Sequence, residues 1–196
     1  MFVNKQVNRL ESRYGIPDKD WSEWEMTKKE FNLVKASMLS GRQHDVTLLI
    51  FQRPFLNLRE ISIDSPIAVI RKPYYQPDVY RPPSGGISPS ENFEFGVKRE
   101  AKEETGLMVN IHHYLLRSNV RFTYCYQTVD WQTHVFVAST LDQVLHPTDI
   151  KEIANARWVT WGKLGTGLLK KLKKAPSIGL RYRGHLQEKI IEYCTK

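Results

Sequence analysis

Carboxylates gather on one face of a short segment in the middle of the chain. Residues 92–105 have the periodicity of a helix, and Gly106 is suited to end it. On a helical wheel, one stripe carries two apolar and two acidic side chains with a further acid beside it, namely Phe93, Val97, Glu100, Glu104 and Glu103. Like charges three and four residues apart oppose a helix by roughly 0.2–0.5 kcal/mol per pair, and burying an unpaired carboxylate costs much more. A divalent cation with oxygen ligands resolves both problems, so the stripe predicts a metal site.

The same segment carries a longer motif. Its fixed positions follow the template Gly, five residues, Glu, seven residues, Arg-Glu, two residues, Glu-Glu, one residue, Gly. The matching residues are Gly85, Glu91, Arg99, Glu100, Glu103, Glu104 and Gly106, and the apolar residues Ala101 and Leu107 fit as well. At average residue usage, a chance match is on the order of one in a hundred million per window. The segment is identified as a Nudix box, and the chain resembles the Nudix hydrolases.

The resemblance implies an enzyme that uses Mg²⁺, with Mn²⁺ as an alternative. The metal ligands that it implies are the carboxylates and the backbone carbonyl just before the box glycine, here Glu100, Glu103, Glu104 and Ser84. Such an ion bridges phosphate oxygens, withdraws the charge that develops during displacement and makes a bound water more acidic. The pair Gly85 and Gly86 would let the backbone approach the ion, because glycine has no side chain to clash.

Two further features of the box are predicted. Arg99 is expected to pair with Glu91 and to orient a ligand carboxylate. Ser88 to Glu91 also fit a capping box with proline at the first helical position, so local signals allow a helix that begins there. The family pattern instead keeps this stretch as a loop, and the sequence leaves both starts open.

Two glutamates compete for the role of general base. Glu152 stands six residues before Trp158 and resembles the acid that small Nudix pyrophosphatases carry outside the box. Glu100 is the competing candidate, and Glu152 would then be an acid of a surface loop. A base must reach the attacking water directly or through one more water, so the geometry has to decide.

The substrate-binding residues are predicted just upstream of the box. Three cations there could hold phosphates, namely Arg71, Lys72 and Arg81. Tyr74, Tyr75 or Tyr80 could stack on a base, although aromatic residues before a loop more often cover the edge of a core. His134 is interpreted as a histidine packed within a strand.

Composition limits the other function classes. The net charge of +8 over 196 residues fits a polyanionic ligand, either a nucleotide or a nucleic acid. The two cysteines have no zinc spacing, and no apolar run approaches the length of a membrane span. We expect a cytoplasmic protein with no membrane partner, and a homodimer is left open.

The predicted fold class is α/β: a Nudix-type α/β/α sandwich with a mixed β-sheet. Residues 1–41 are predicted as a helical N-terminal extension, in which Trp21 and Trp24 dock the helix that follows them onto the core. Residues 42–165 are predicted as the Nudix hydrolase domain, and residues 166–196 as a basic C-terminal helical extension packed on the core. Strands are predicted at Val46–Gln52, Ile67–Arg71, Val120–Tyr126, Trp131–Ser139 and Arg157–Trp161, and the last helices at Leu164–Lys174 and Leu186–Tyr193. Phe55 to Ile63 lengthen a hairpin region, with no role assigned.

The predicted activity is Mg²⁺-dependent cleavage of the diphosphate linkage of a nucleoside diphosphate joined to another moiety. This class includes nucleotide sugars, dinucleoside polyphosphates and nucleoside triphosphates. One alternative is an RNA-directed Nudix protein that removes a 5′ pyrophosphate or binds RNA through the basic tail. Another is a regulator that kept the fold and lost catalysis, against which the intact set of acids argues.

Overall fold

A computed structural model describes residues 2–54 and 57–194 of the chain. Its strands are β1 (Asp18–Glu25), β2 (His44–Phe51), β3 (Pro66–Arg71), β4 (Ser84–Gly86), β5 (Asn110–Tyr124), β6 (Gln127–Ser139) and β7 (Asn155–Thr160). Its helices are α1 (Phe2–Tyr14), α2 (Lys28–Leu39), α3 (Phe93–Thr105), α4 (Trp161–Lys163), α5 (Leu169–Lys173) and α6 (Ile178–Cys194), and a π-helical turn (Leu164–Leu168) joins α4 to α5.

The seven strands form one mixed sheet in the order β1-β5-β6-β2-β3-β7, and the short β4 pairs with β2 beside β3. The β1–β5 and β2–β6 pairs are parallel, whereas the β5–β6, β3–β7 and β2–β4 pairs are antiparallel. In β2, all residues from Asp45 to Phe51 are buried. A continuous apolar run is expected of a central strand whose two faces are both covered.

Helices cover both faces of the sheet. One core packs α1 and α3 on one face, with Leu10, Phe93, Val97 and Ala101 against Leu48 and Phe136. The other core packs α2, the π-helical turn and α6 on the opposite face, with Phe31, Leu168, Tyr182 and Leu186 against Leu49 and Val137. The predicted α/β/α sandwich with a mixed sheet is therefore confirmed.

The N-terminal region is not purely helical, which corrects the prediction for residues 1–41. Residues Asp18–Glu25 form an edge strand parallel to β5, between α1 and α2. Trp24 packs edge-on against Tyr182 with ring centroids 6.2 Å apart, while Trp21 stays largely exposed. The strand alternates between exposed and half-buried side chains, a period of two that its many acidic residues obscure in the sequence. Trp24 thus docks a strand rather than a helix.

Other boundaries also differ from the predictions. Strand β5 begins ten residues before the predicted Val120, and α6 begins eight residues before Leu186. The helix of the box begins at Phe93 because the side chain of Asn92 accepts the backbone N–H groups of Glu94 and Phe95, so the earlier start at Ser88 is wrong.

Two regions leave predictions open. Of the predicted insertion, Phe55 and Leu56 lie outside the described residues, and the remainder contains a 3₁₀ turn, Leu58–Glu60. The boundaries of the three predicted regions stay predictions. No helix within the described ranges has the length and apolar character needed to cross a bilayer.

Candidate active site

Helix α3 presents its acids to the protein because of how it is anchored. Gly106 ends the helix in the left-handed conformation with φ of 80°. A Cβ on Gly96 would overlap the side chain of Ile87 and lie 3.2 Å from the Glu91 carboxylate, so the helix lies closely against the preceding loop. Its apolar stripe packs on the sheet, and Glu100 and Glu104 continue that stripe into a buried position beside β4. The predicted amphipathic stripe is confirmed.

Arg99 links the carboxylates of the box. Its Nε and Nη2 donate to the two carboxylate oxygens of Glu91, at 2.7 and 2.9 Å. Its Nη1 donates to Glu100 at 2.7 Å and to Glu103 at 2.8 Å, and Nη2 also donates to the carbonyl of Gly86. Burial would raise the pKa of Glu91, but the hydrogen bonds from Arg99 and its charge hold that pKa below the ordinary value. Arg99 therefore contacts Glu91 as predicted and restrains two of the proposed metal ligands.

Glu104 is the most deeply buried acid of the box. One carboxylate oxygen accepts the backbone N–H of Ser84 at 2.6 Å, and the other lies 3.6 Å from Arg81 and 4.0 Å from Lys72. Burial raises the pKa of Glu104, even though Arg81 and Lys72 act in the opposite direction. The two neighbouring cations therefore do not fully offset the cost of burying the ionised carboxylate of Glu104.

Glu100 is nearly as buried and has weaker compensation. Burial raises its pKa to about 7, the hydrogen bond and charge of Arg99 oppose the shift, and the nearby Glu104 and Glu103 add to it. Gly85 allows this position, since a Cβ on that residue would overlap the Glu100 carboxylate. A group with a pKa near neutrality in a buried cluster of like charges is typical of a functional site.

The backbone of Ser84 faces the same acids. On either side of β4, the N–H of Leu48 donates to the carbonyl of Pro83, and the N–H of Ile87 donates to the carbonyl of His44. Every second residue from Pro83 to Ile87 therefore directs its backbone groups toward β2. Ser84 belongs to the alternate set, because its N–H donates to Glu104 instead. Both the N–H and the C=O of a strand residue point to the same side in an antiparallel ladder, so the Ser84 carbonyl is directed away from β2 and toward α3.

These groups fit a hard divalent cation by their donor chemistry. They offer carboxylate and carbonyl oxygens, and the glycine at position 85 leaves the room for a close approach. Over residues 2–54 and 57–194, no three His, Cys, Asp or Glu side chains already converge into a metal cluster. Arg99 holds Glu100 and Glu103, and Ser84 holds Glu104, so metal binding would exchange these partners for the ion.

A cleft of about 770 Å³ opens beside the box glycines. Four of the upstream residues that were predicted to bind substrate line it, namely Lys72, Tyr74, Tyr75 and Arg81, together with Ser84, Gly85 and Gly86. Helix α2 and the region from Ala175 to Arg183 form the other walls. The cleft therefore brings most of the predicted substrate residues together with Ser84, and Glu104 and Glu100 lie directly behind its lining, against Ser84 and Gly85.

Arg81 anchors the cleft floor. Its Nη1 donates to the hydroxyl of Ser84 and the carbonyl of Pro82, both at 2.8 Å, and its Nε donates to the hydroxyl of Tyr75 at 3.1 Å. Burial alone would raise the pKa of Tyr75, but the charge and hydrogen bond of Arg81 bring it below the ordinary value. Arg81 is buried and positions Ser84, whereas Tyr74 is exposed at the cleft.

Lys72 connects the cleft to Glu152. Its Nζ lies 2.7 Å from Oε2 of Glu152, and the side chain of Glu152 is 63% exposed. The loop that carries Glu152 is attached to α3, because Thr148 and Asp149 donate their N–H groups to the carbonyl of Glu103 at 3.0 Å. The ion pair with Lys72 therefore holds Glu152 at the edge of the cleft, although Glu152 lies far from the box in sequence.

Two of the predicted substrate residues are not brought into the cleft. Tyr80 is only 6% exposed; its hydroxyl donates to Asn155 at 2.9 Å, and the guanidinium of Arg157 covers its ring at 3.8 Å. Its proposed stacking on a base is therefore wrong, since the ring is part of the core. Arg71 ends β3 and does not line the cleft, and its Nε is buried without a hydrogen-bond partner among the described residues.

Two arginines that line the cleft, Arg42 and Arg183, are not among the predicted substrate residues. Arg183 falls within the predicted basic C-terminal extension, and it donates to Asp45 at 2.5 Å and to Thr47 at 3.1 Å on β2. Arg42 lies at the end of the α2 connection, and its Cδ would be 3.4 Å from a Cβ on Gly86. No local signal distinguishes either residue, because each gains its position through packing between distant segments. His134 is buried between His44 and Tyr114, as a packed strand histidine should be.

A comparison with protein-family models agrees with the motif. A family model described as the NUDIX domain matches residues 61–180, which are 120 of the 196 residues and include the whole box. Among solved structures, a C. elegans Ap4A hydrolase in a binary complex is 16% identical with a TM-score of 0.46, over 78% of this chain and 97% of that one. A NUDIX-family hydrolase from Clostridium perfringens is 18% identical with a TM-score of 0.40, over 75% and 99%. A comparison with curated proteins gave no match.

Proposed function

The chain belongs to the NUDIX domain family, and from this premise we propose that it cleaves the diphosphate linkage of a nucleoside diphosphate joined to another moiety, with Mg²⁺ or Mn²⁺ as its cofactor. One observation carries the proposal: the buried acids of α3 lie directly behind residues that line a cationic cleft, with Glu104 bonded to Ser84 and 3.6 Å from Arg81, and Glu100 against Gly85. Clustered acids suit a metal ion and the cations suit phosphates, so the combination suits a metal-bound phosphate chain.

We assign different roles to the metal ligands, to Arg99 and to Lys72. Glu100, Glu103, Glu104 and the carbonyl of Ser84 would hold the ion, which when bound supplies positive charge to the phosphate oxygens and makes a coordinated water more acidic. Arg99 keeps the carboxylates in position through Glu91. Lys72 faces the cleft between Glu104 and Glu152, and its ammonium group has three donors, so it can donate to a phosphate oxygen while it stays bonded to Glu152.

Glu152 is our candidate for the general base. It is exposed and held beside the site by Lys72 at 2.7 Å, so a water could reach it. Glu100 remains the competing candidate, since a pKa of about 7 also suits proton transfer near neutral pH. As a metal ligand, however, Glu100 would commit a carboxylate oxygen to the ion and would be a weaker base.

A substrate screen tests the proposal. Nucleotide sugars, dinucleoside polyphosphates and nucleoside triphosphates would be incubated with Mg²⁺, and the phosphate-containing products identified. We expect metal-dependent turnover of at least one class and its loss in Glu104→Gln. Turnover that persists in EDTA, or no turnover of any nucleoside diphosphate derivative, would contradict the proposed activity.

The alternatives have less support. Part of the basic C-terminal charge is already paired, since Lys171 contacts Asp78 and Lys173 contacts Glu188. RNA binding through this segment should weaken steeply as salt rises, and no binding at about 50 mM salt would exclude it. The complete acid set disfavours a non-catalytic regulator. A cytoplasmic location and a homodimer stay predictions from the sequence.

A further inference from the structure

The cleft has two chemically different ends. Its end beside β4 is cationic, with Lys72, Arg81 and Arg183 close to the box acids. Its other end is an apolar groove between α2 and the segment that leads from α5 into the first turn of α6, lined by Leu33, Val34, Pro176 and Leu180. A volume of about 770 Å³ lies within the range of roughly 300–1,000 Å³ that encloses a drug-sized ligand, which is more than a diphosphate and a cation require.

The groove keeps an apolar side chain open to solvent. Leu33 lines the groove and is 64% exposed, although α2 buries Phe31 in the core. The two walls are fastened together by Glu30, whose carboxylate accepts the hydroxyl of Ser177 at 2.8 Å and the N–H of Gly179 at 3.2 Å. The groove is therefore a built feature of α2 and α6 rather than a gap between loose segments.

Two acids line the cleft within the described residues, and only one of them is paired with a cation. Asp45 is bound by Arg183 at 2.5 Å, and Glu30 is bound by Ser177, Gly179 and the hydroxyl of Thr27. Arg42, in contrast, is an exposed cation beside Gly86 and makes no ion pair within the described part of the chain. It is available to a phosphate at the junction between the cationic end and the groove.

Resting on the proposed function, we propose that the apolar groove binds the base of a nucleoside while Arg42 binds the phosphates attached to it. A base has apolar faces that suit Leu33 and Leu180, and a polar edge that suits Ser37 and Gln76, which also line the cleft. A hexose would set its hydroxyl groups against the leucines without partners. The groove thus selects the nucleoside half of the substrate, and the other moiety projects away from it.

The test compares two non-hydrolysable ligands that differ only by a nucleoside, α,β-methylene-ADP and methylenediphosphonate. Binding would be measured by calorimetry with Mg²⁺. We expect wild type to prefer α,β-methylene-ADP at least tenfold, and Leu33→Asn to remove most of that preference while changing methylenediphosphonate affinity less than about twofold. Arg42→Gln should weaken both ligands alike. Leu39→Asn is the matched control, because Leu39 is an exposed leucine of α2 outside the cleft, and it should change neither.

The contrary outcomes are separable. A full nucleoside preference in Leu33→Asn would overturn the groove assignment, as would tighter binding of geranyl diphosphate than of α,β-methylene-ADP. Equal affinities of the wild-type protein for α,β-methylene-ADP and methylenediphosphonate would overturn it as well. None of these results depends on turnover, so the substrate screen can succeed while the groove assignment fails.

Discussion

Gly85 lies so close to Glu100 that a Cβ on the glycine would overlap the glutamate carboxylate. The two residues come from different elements, β4 and α3, so the missing side chain sets how near the strand can come to the acids of the helix. That approach brings the Ser84 carbonyl to the same side as Glu100 and Glu104. The glycine is therefore needed for the geometry of the ligand set rather than for a positive φ.

Gly85→Ala should fold and lose most of its activity. The added methyl group must displace the Glu100 carboxylate or move β4, and either change separates the proposed ligands. We expect turnover at a fixed Mg²⁺ concentration to fall at least a hundredfold. Gly86→Ala is the matched control, since its Cβ would lie 3.4 Å from the nearest atom, Cδ of Arg42, and it should stay within about fivefold of wild type. Equal activity of both variants would show that the close approach is unnecessary.

Glu104→Gln should separate activity from stability. The raised pKa of Glu104 means that its ionised form is disfavoured in the folded protein, so a neutral amide relieves that cost in the absence of metal. We expect turnover at least a hundredfold lower and a melting temperature in EDTA equal to or above that of wild type. A folded variant that hydrolyses substrate at nearly the wild-type rate would remove Glu104 from the site.

Metal binding should release a proton from Glu100. Its pKa of about 7 exceeds the ordinary value of 4.5. Between these two pH values, the Glu100 carboxyl is protonated in the folded, metal-free protein and ionised in the unfolded chain. Stability from this group therefore falls as pH rises from 4.5 to 7, by roughly 3 kcal/mol at most, and a bound cation should restore it. Calorimetric titration with Mg²⁺ at pH 7 in buffers of different ionisation enthalpy should detect about half a proton released per site. The melting temperature should gain more from Mg²⁺ at pH 8 than at pH 5.5.

The control for this prediction is Glu100→Gln, which should bind Mg²⁺ more weakly and without the buffer dependence. Identical observed enthalpies in all buffers for wild type would mean that Glu100 is already ionised before the ion arrives, which contradicts the raised pKa.

The box could be predicted from the sequence because its determinants are local. The stripe that ends in Glu100 and Glu104 follows from helical periodicity, and Asn92 and Gly106 mark the two ends of the helix. Arg99 reaches Glu91 within one helix and its preceding loop. Such contacts join residues that are close together in the sequence, so helical periodicity is enough to predict them.

The cleft could not be predicted because its walls meet only in the tertiary structure. Arg183 and Leu33 stand on helices from opposite ends of the chain and line the same cavity. Strand β1 is rich in aspartate and glutamate, which disfavour strands, and becomes a strand by pairing with β5. Tyr80 has the sequence position of a substrate residue, but Arg157 and Asn155 of β7 enclose it.

Glu152→Gln decides between the two candidate bases. If Glu152 deprotonates or positions the attacking water, the maximal rate should fall by roughly 10²–10⁴, with little change in KM or in Mg²⁺ affinity because the box carboxylates remain. A metal-ligand role would instead raise the Mg²⁺ requirement, and saturating metal would restore much of the rate. We expect a lost rate that metal does not restore, and a near-wild-type rate for Lys151→Gln, an exposed neighbour in the same loop. Lys72→Met should also reduce the rate, since Lys72 holds Glu152 at 2.7 Å. An unchanged rate of Glu152→Gln at both low and high Mg²⁺ would transfer the base role to Glu100.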